Sequence, residues 1–318
     1  MEPGGLDTPP LPEGDPRGST SSVANLGGSV ATSAGSGGYT VANDCSGTAS
    51  VTNQNGTLNY RFAIVRDGQS ALFYESDNGW TVSGVFTPVF AAPQQSIVNG
   101  ASFQASVAPG SLFSIFGTEL AAQPVNASTI PLPSILGGTQ VLVNGEVAPL
   151  VYVANNQINA QMPIDVPTGL PVTVTITNAG QQSNAVTINL AQAAPGIFTY
   201  GSNLAVVQNQ DGSVNSPTTP AHPGDEIVAY LTRGGAVTPA GPWITGAASP
   251  GGLSGVTGQY SVAVGGTPVP VEYIGLTPGL VGLYQANLKI PPLAPGSYLL
   301  VVTVDGVSSN AAIIAVGG

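Results

Sequence analysis

Gln157-Ile158-Asn159-Ala160-Gln161-Met162-Pro163 returns further along the chain as Gln285-Ala286-Asn287-Leu288-Lys289-Ile290-Pro291. Polar and apolar side chains alternate in both stretches. On an extended backbone Gln157, Asn159 and Gln161 therefore share one face and Ile158, Ala160 and Met162 the other. Gln285, Asn287 and Lys289 do likewise opposite Ala286, Leu288 and Ile290. Each run ends at a proline, which has no N–H to offer a sheet ladder. Upstream, Pro109-Gly110 opens the apolar run Leu112, Phe113, Ile115, Phe116, and Pro223-Gly224 opens Ile227, Val228, Tyr230, Leu231. Downstream, Ser183-Asn184-Ala185 recurs as Ser309-Asn310-Ala311. Order and approximate spacing agree, so the chain carries a duplicated domain and not merely two stretches of similar composition.

The first copy has strand-like runs near 111–117, 139–144, 148–154, 157–162, 171–177 and 183–190. Val141, Val143, Val172, Val174 and Ile176 set β-branched residues at period two within it. The second copy repeats the series from Val262 and Val264 through 269–274, 282–290, 298–304 and 311–316. It adds an opening hairpin, Leu204 to Val207 and Val214 to Ser216, turned at Asp211-Gly212, and a Gly- and Pro-rich insertion from Gly234 to Gly258. Roughly seven short strands per ~100 residues with Gly or Pro turns is the pattern of an immunoglobulin-like sandwich. Helical periodicity does not exceed one turn anywhere. The predicted fold is therefore all-β, with tandem sandwiches over 96–191 and 192–318. Their joint, Ala191 to Pro195, is short and is followed by apolar Ile197 and Phe198, which predicts a stiff pair.

Upstream of Ala91-Ala92-Pro93 the pattern changes. Over 38–90, Leu58, Tyr60, Phe62 and Ile64 alternate with their neighbours, and further strand-like runs lie at Leu72 to Tyr74 and Trp80 to Phe86. Asn55-Gly56, Asp67-Gly68 and Asn78-Gly79 readily take the positive φ angles of tight hairpins, so this is an antiparallel meander. Its apolar face needs a partner: it packs on the next module, or it is half of a larger module. Residues 1–37, rich in Gly, Pro and Ser with almost no large apolar side chains, bury too little to offset ordering entropy, which predicts a flexible tail.

Composition narrows the function. Charged residues make up 7% of the chain against a typical ~25%. Net charge is −11, and Arg17, Arg61, Arg66, Arg233 and Lys289 are scattered singly. No basic cluster exists to neutralise a run of phosphates or to dock on anionic lipid, so neither nucleic acid nor a membrane is an expected partner. Cys45 is alone, which leaves no intrachain disulfide and no cysteine-based zinc site, and a small buried apolar role is expected for it. No window approaches the ~18 apolar residues of a membrane span. The opening MEPGGLDTPPLPEGDPRG lacks the cationic head and apolar core of a signal peptide. Lys-poor, Gly- and Thr-rich tandem β modules are commonest on exported proteins, so the expected location is extracellular or at the cell surface, with a leader or upstream region outside this chain.

Several long motifs then carry a resemblance. PGIF (Pro195 to Phe198), NQDGSVNS (Asn209 to Ser216), PAHPGDE (Pro220 to Glu226), GLTPGLVGLYQANLKIP (Gly275 to Pro291) and the closing VDGVSSNAAIIAV stand in order. Over about residues 96–318 the chain resembles the uncharacterised C-terminal domain family of large secreted acidobacterial proteins, whose modules are similar to the immunoglobulin-like folds called IPT or TIG. The resemblance implies a secreted or surface β-protein, and the family brings no established activity, catalytic residue or ligand. YTVANDCSGTASVT, in the first third, only loosely resembles β-meander modules that accompany the family.

A search for chemistry returns little. A hydrolytic triad needs a base, and the single histidine, His222, lies between two prolines in PAHPGDE with no Gly-x-Ser-x-Gly elbow in the chain to present a nucleophile. A turn role is expected for it, and one His with one Cys cannot assemble a zinc site without carboxylate help. Adjacent Asp225 and Glu226 point to opposite faces of a strand, while Glu119, Glu146 and Glu272 are far apart in sequence. Asn209, Asp211, Ser213 and Asn215 around Gly212 resemble a calcium loop, but one charge and no closing Glu favour a plain hairpin turn. No catalytic, metal or cofactor site is expected. Amides of the repeated strand, Gln157, Asn159, Gln285 and Asn287, can bond sugar hydroxyls, a neighbouring module, loop backbone or water. Trp80, Trp243, Tyr200 and Tyr260 are not assigned to a core by alternation. Trp243, in the insertion, is either an exposed platform for sugar or a ring folded back over the open end of its sandwich.

Together these readings predict a noncatalytic structural, display or adhesion module of a secreted or cell-surface bacterial protein, monomeric, with polysaccharide or other surface proteins as partners. The alternative is a carbohydrate-binding accessory module using Trp243, Gln157, Asn159, Gln285 and Asn287, and a hydrolase is the third reading.

Overall fold

The computed structural model describes residues 18–26, 29–41, 46–53, 56–65, 70–75, 83–86, 97–239 and 241–318. Every regular element among them is a β-strand. Two compact units divide the chain, Met1–Pro88 and Val89–Gly318.

The first unit is a single antiparallel sheet whose strands follow sequence order: Gly18–Leu26, Ser29–Val41, Ser46–Asn53, Gly56–Val65, Ser70–Glu75 and Ser83–Phe86. Within 1–37, where composition predicts a flexible tail, Gly18 to Leu26 pairs residue by residue with Gly37 to Ser29. Threonines face each other across the next pairings, Thr40 with Thr48 at 2.9 Å and Thr52 with Thr57 at 2.8 Å between hydroxyls. Tyr60 is buried and Phe62 half-buried, the Phe62 ring lying over Gly47. Residues 1–17, Cys45, Trp80 and the turns expected at Asp67-Gly68 and Asn78-Gly79 lie outside the described residues.

The second unit is two tandem immunoglobulin-like sandwiches. In the first, one sheet runs Ile97–Asn99, Leu112–Phe116, Gln157–Gln161, Leu150–Val153, Val125–Asn126. The facing sheet runs Glu146–Ala148, Thr139–Val143, Pro171–Asn178, with Gln181–Gln182 and Val186–Asn189 on its far side. Thr139–Val143 buries every second residue, as its alternation predicts. Phe113, Ile115, Ile158, Val141, Val143 and Ile176 meet between the sheets in one apolar cluster. Burial of each such side chain contributes about 1.5–3 kcal/mol.

The second sandwich repeats this order. Gly196–Ile197, Glu226–Thr232, Leu283–Lys289, Val271–Leu276 and Ser254–Gly255 form one sheet, with Val207–Gln208 also on Glu226–Thr232. Thr199–Tyr200, Leu204–Ala205, Ala312–Val316, Gly296–Val304, Tyr260–Val264 and Thr267–Val269 form the other, Val307–Ser308 pairing with Gly296–Val304. Even the irregularities are duplicated. The register slips between Leu150 and Tyr152 in one copy and between Val271 and Tyr273 in the other, a β-bulge at the same place. Gly110 N–H bonds Met162 O at 3.0 Å, as Gly224 N–H bonds Ile290 O at 2.9 Å. Both glycines have positive φ, +77° and +93°, which is why Pro-Gly opens each strand. Ser183 Oγ accepts from Ile176 N–H at 3.0 Å and donates to Asn184 O, and Ser309 does the same with Val302 and Asn310.

Direct hydrogen bonds tie the sandwiches together. Buried Asn99 donates from Nδ2 to Ala194 O at 2.9 Å, and Leu112 N–H bonds Thr232 Oγ1 at 2.7 Å. The insertion of the second sandwich reaches the first at Gly246, whose N–H bonds Gln161 Oε1 at 2.7 Å and whose carbonyl accepts from Leu132 N–H at 2.8 Å. Gly246 is required there: its φ is +81°, and an added Cβ would meet Pro149 Cγ at 2.8 Å.

Candidate functional site

The repeated amides lie on the outward face of their strands. In the first sandwich the register sets Phe116 beside Gln157 and Ser114 beside Asn159, with Tyr152 on the other flank of Asn159. Gln157 Nε2 donates to Asn159 Oδ1 at 2.8 Å, and Ser114 Oγ donates to the same oxygen at 2.9 Å. In the second sandwich Tyr230 stands beside Gln285, Val228 beside Asn287 and Tyr273 on its other flank. Gln285 Nε2 donates to Asn287 Oδ1 at 2.9 Å. All four amides are half-buried. Spent in these internal bonds are one donor nitrogen and one acceptor oxygen per pair. Among the described residues Gln157 Oε1 and Asn159 Nδ2 make no hydrogen bond to protein, nor do Gln285 Oε1 and Asn287 Nδ2.

Two features distinguish the copies. Tyr273 lies back over Gly275, its hydroxyl donating to Leu276 O at 2.8 Å and accepting from Ser254 N–H at 3.2 Å. Burial pushes its pKa up, and the Ser254 N–H partly opposes that. The first copy instead has a second aromatic beside its row. Phe103 is 57% exposed, with its ring centroid 6.1 Å from that of Phe116 and tilted by 44°. Phe103 has a φ of +56°, a conformation bulky residues rarely adopt. Asn99 holds the loop there: its Oδ1 accepts from Ala101 N–H at 2.9 Å and Ser102 N–H at 3.0 Å, and its carbonyl from Phe103 N–H at 3.0 Å.

Trp243 is half-buried where the sandwiches meet. It packs against the second core, and its Cη2 would touch a Cβ on Gly110 of the first sandwich at 2.9 Å. Its Nε1 is buried with no hydrogen-bond partner among the described residues, as is Nε of nearby Arg233. Arg233 Nη1 lies 3.4 Å from the Tyr284 hydroxyl, which donates to Gly235 O at 3.1 Å. Deep burial raises the Tyr284 pKa, and the Arg233 charge pulls it back. Tyr200 and Tyr260 are partly exposed, at 37% and 43%, and the Tyr200 hydroxyl bonds Asn215 O.

His222 occupies the turn position that Ala108 holds in the first sandwich. Its N–H bonds Asp225 Oδ2 at 2.8 Å, where Ser111 Oγ accepts from Ala108 N–H, so Asp225 closes a turn. Glu119, Glu146 and Glu272 are exposed, and no group of three metal-ligating side chains occurs among the described residues. Oxygens of the Asn209–Asn215 loop turn inward: Asp211 Oδ1 accepts from Ser213 N–H and Oγ, and Asn209 Oδ1 accepts from Asn215 Nδ2.

Sequence reading groups Phe116 and Tyr230 with their apolar strands. Parity was the signal that could separate them, since Phe113 and Ile115 are out of phase with Phe116. Nothing local marks Phe103, whose exposure depends on how Asn99 folds the loop back.

The chain is thus an all-β protein with tandem immunoglobulin-like sandwiches. No protein-family model and no curated protein matches it. Among solved structures it is similar to SGBP-B of the mixed-linkage glucan utilization locus of Bacteroides ovatus, in complex with a mixed-linkage heptasaccharide. Identity is 14%, over 81% of this chain and 52% of that one, at a TM-score of 0.32. A surface glycan-binding protein of Prevotella bryantii is 14% identical over 68% of this chain and 40% of that one, at a TM-score of 0.22. The Escherichia coli adhesin FdeC is 13% identical over 90% and 92%, at 0.21. The chain therefore spans about half or less of the first two proteins.

Proposed function

We propose that this chain is a noncatalytic display or adhesion module of a secreted or cell-surface bacterial protein. The observation that carries the reading is the joint: Gln161, Gly246, Leu132, Asn99 and Thr232 hydrogen-bond one sandwich to the other, which makes a stiff carrier for surface loops and sheet faces. His222 sits in a turn closed by its own backbone N–H on Asp225 Oδ2, with its Nδ1 3.5 Å from the same carboxylate oxygen. The quoted motifs support membership of the acidobacterial C-terminal family with IPT- or TIG-like modules. Polysaccharide recognition is the second reading, favoured by the open Oε1 and Nδ2 atoms of the amide pairs at Gln157, Asn159, Gln285 and Asn287; Trp243 enters it as part of the joint.

Beads coated with the full chain should adhere to bacterial cells or polymer-coated glass more than beads coated with an unrelated acidic protein. Turnover of ester, peptide or glycoside substrates that disappears with His222→Ala would replace this reading with a hydrolase.

A further inference from the structure

We propose that the outward face of the first sandwich, around Phe103, Phe116, Gln157 and Asn159, binds a neutral polysaccharide chain. The inference rests on the adhesion reading and assigns it a site and a ligand class. Exposed rings offer a flat apolar surface to the C–H face of a sugar, and they sit beside the amide pair because Phe116 is the register partner of Gln157. Gln157 Oε1 is an open acceptor and Asn159 Nδ2 an open donor on that pair, which suits hydroxyls that both donate and accept. Both amides are pre-oriented by their mutual bond and by Ser114, so little side-chain freedom remains to be lost on binding.

Charge selects the ligand. The five strands of this sheet, IVN, LFSIF, QINAQ, LVYV and VN, contain no Asp, Glu, Lys or Arg. An anionic polymer would find no cation on these strands, in a chain whose net charge is −11. The matching sheet of the second sandwich carries Glu226, Glu272 and Lys289, and its Tyr273 hydroxyl is already bonded. Backbone strain points to the same place. Phe103 is held in the left-handed region although the loop leaves its ring exposed, so core packing does not account for a bulky side chain at that position.

The test is affinity electrophoresis of the full chain in gels containing a neutral β-glucan, a mannan, or polygalacturonate as the anionic control, followed by titration calorimetry on whichever polymer retards it. Retardation by a neutral polymer and not by polygalacturonate is expected. Phe103→Ala and Phe116→Ala should each weaken binding about tenfold, the scale of an interface anchor, and Asn159→Ala should weaken it too, while Tyr260→Ala leaves it unchanged. Phe103→Gly suits the left-handed backbone, so it should lose binding with the melting temperature intact, which separates a lost contact from a lost fold. Neutral-polymer binding untouched by Phe103→Ala and Phe116→Ala overturns the site but leaves the adhesion reading in place. So does bead adhesion to cells without retardation by any neutral polymer. Self-association of the chain that Phe103→Ala abolishes would make the face a contact between two copies and overturn the polysaccharide.

Discussion

The two sandwiches share strand order, bulge position, Pro-Gly turns and the outward Gln-Asn pair, yet they differ at other outward positions and at several inward ones. Phe113 faces Ala160 across the first sheet where Ile227 faces Leu288 in the second, a large–small pair replaced by two residues of middle size. Ile115 and Ile158 become Ala229 and Ala286, and the second core draws on fully buried Tyr284 as well. Outward, Gln161 is buried under the insertion while its counterpart Lys289 is exposed. Backbone pairing tolerates such exchange because its hydrogen bonds belong to the main chain, and cores tolerate it when total volume is kept. What diverges records what each face meets.

The most damaging way to break the comparison is through the core. Phe113 is fully buried, and Phe113→Ala should destabilise the second unit by about 3–5 kcal/mol, seen as an earlier urea midpoint. A loss under about 1 kcal/mol would mean that the site collapses freely and that Phe113 is not the keystone of its pair.

The joint comes next. Gln161→Ala removes the acceptor of the buried Gly246 N–H and should cost about 1–3 kcal/mol, with faster amide exchange at Gly246. Lys289→Ala, at the same place in the repeat, should stay within about 0.5 kcal/mol. Equal effects would show that the insertion does not seat on Gln161. Ser183 and Ser309 test the opposite expectation. Each bridges the same two backbone groups, so Ser183→Ala and Ser309→Ala should cost about 1 kcal/mol apiece despite the deeper burial of Ser183.

How much of this was legible follows from the range of the forces involved. Strand period, Pro-Gly openers and the Ser-Asn-Ala element are local, and they disclosed the all-β fold and its duplication. Gly18–Leu26 was not legible as a strand, because its pairing with Ser29–Val41 runs through main-chain groups that every residue carries and composition does not reveal. The amide rows could be placed on one face by parity, but their mutual bonds and open atoms depend on rotamers. Trp243 depends on two elements far apart in sequence, the insertion and Gly110, and no local pattern decides between exposure and docking. Phe103 is the sharpest case: its position follows from Asn99, which is held by Ala194 of the joint.

The smallest effect belongs to the hairpin that only the second sandwich has. Ser213 donates to Asp211 from its hydroxyl and its N–H, and these bonds hold the Asp211 carboxyl below its ordinary value of 3.8. A carboxylate with a depressed folded pKa stabilises the fold above its unfolded value, and that contribution fades as the pH falls through the folded value. Asp211 is fully exposed, so water screens most of the gain. Asp211→Asn should therefore lower the melting temperature slightly at neutral pH, with the gap to the wild type closing once the pH drops below 3.8. The same substitution strategy has no target in the first sandwich, which lacks the hairpin. A gap that persists unchanged into acid would show that Asp211 acts through a hydrogen-bond geometry that Asn does not reproduce, and that charge contributes nothing to what sets the second sandwich apart.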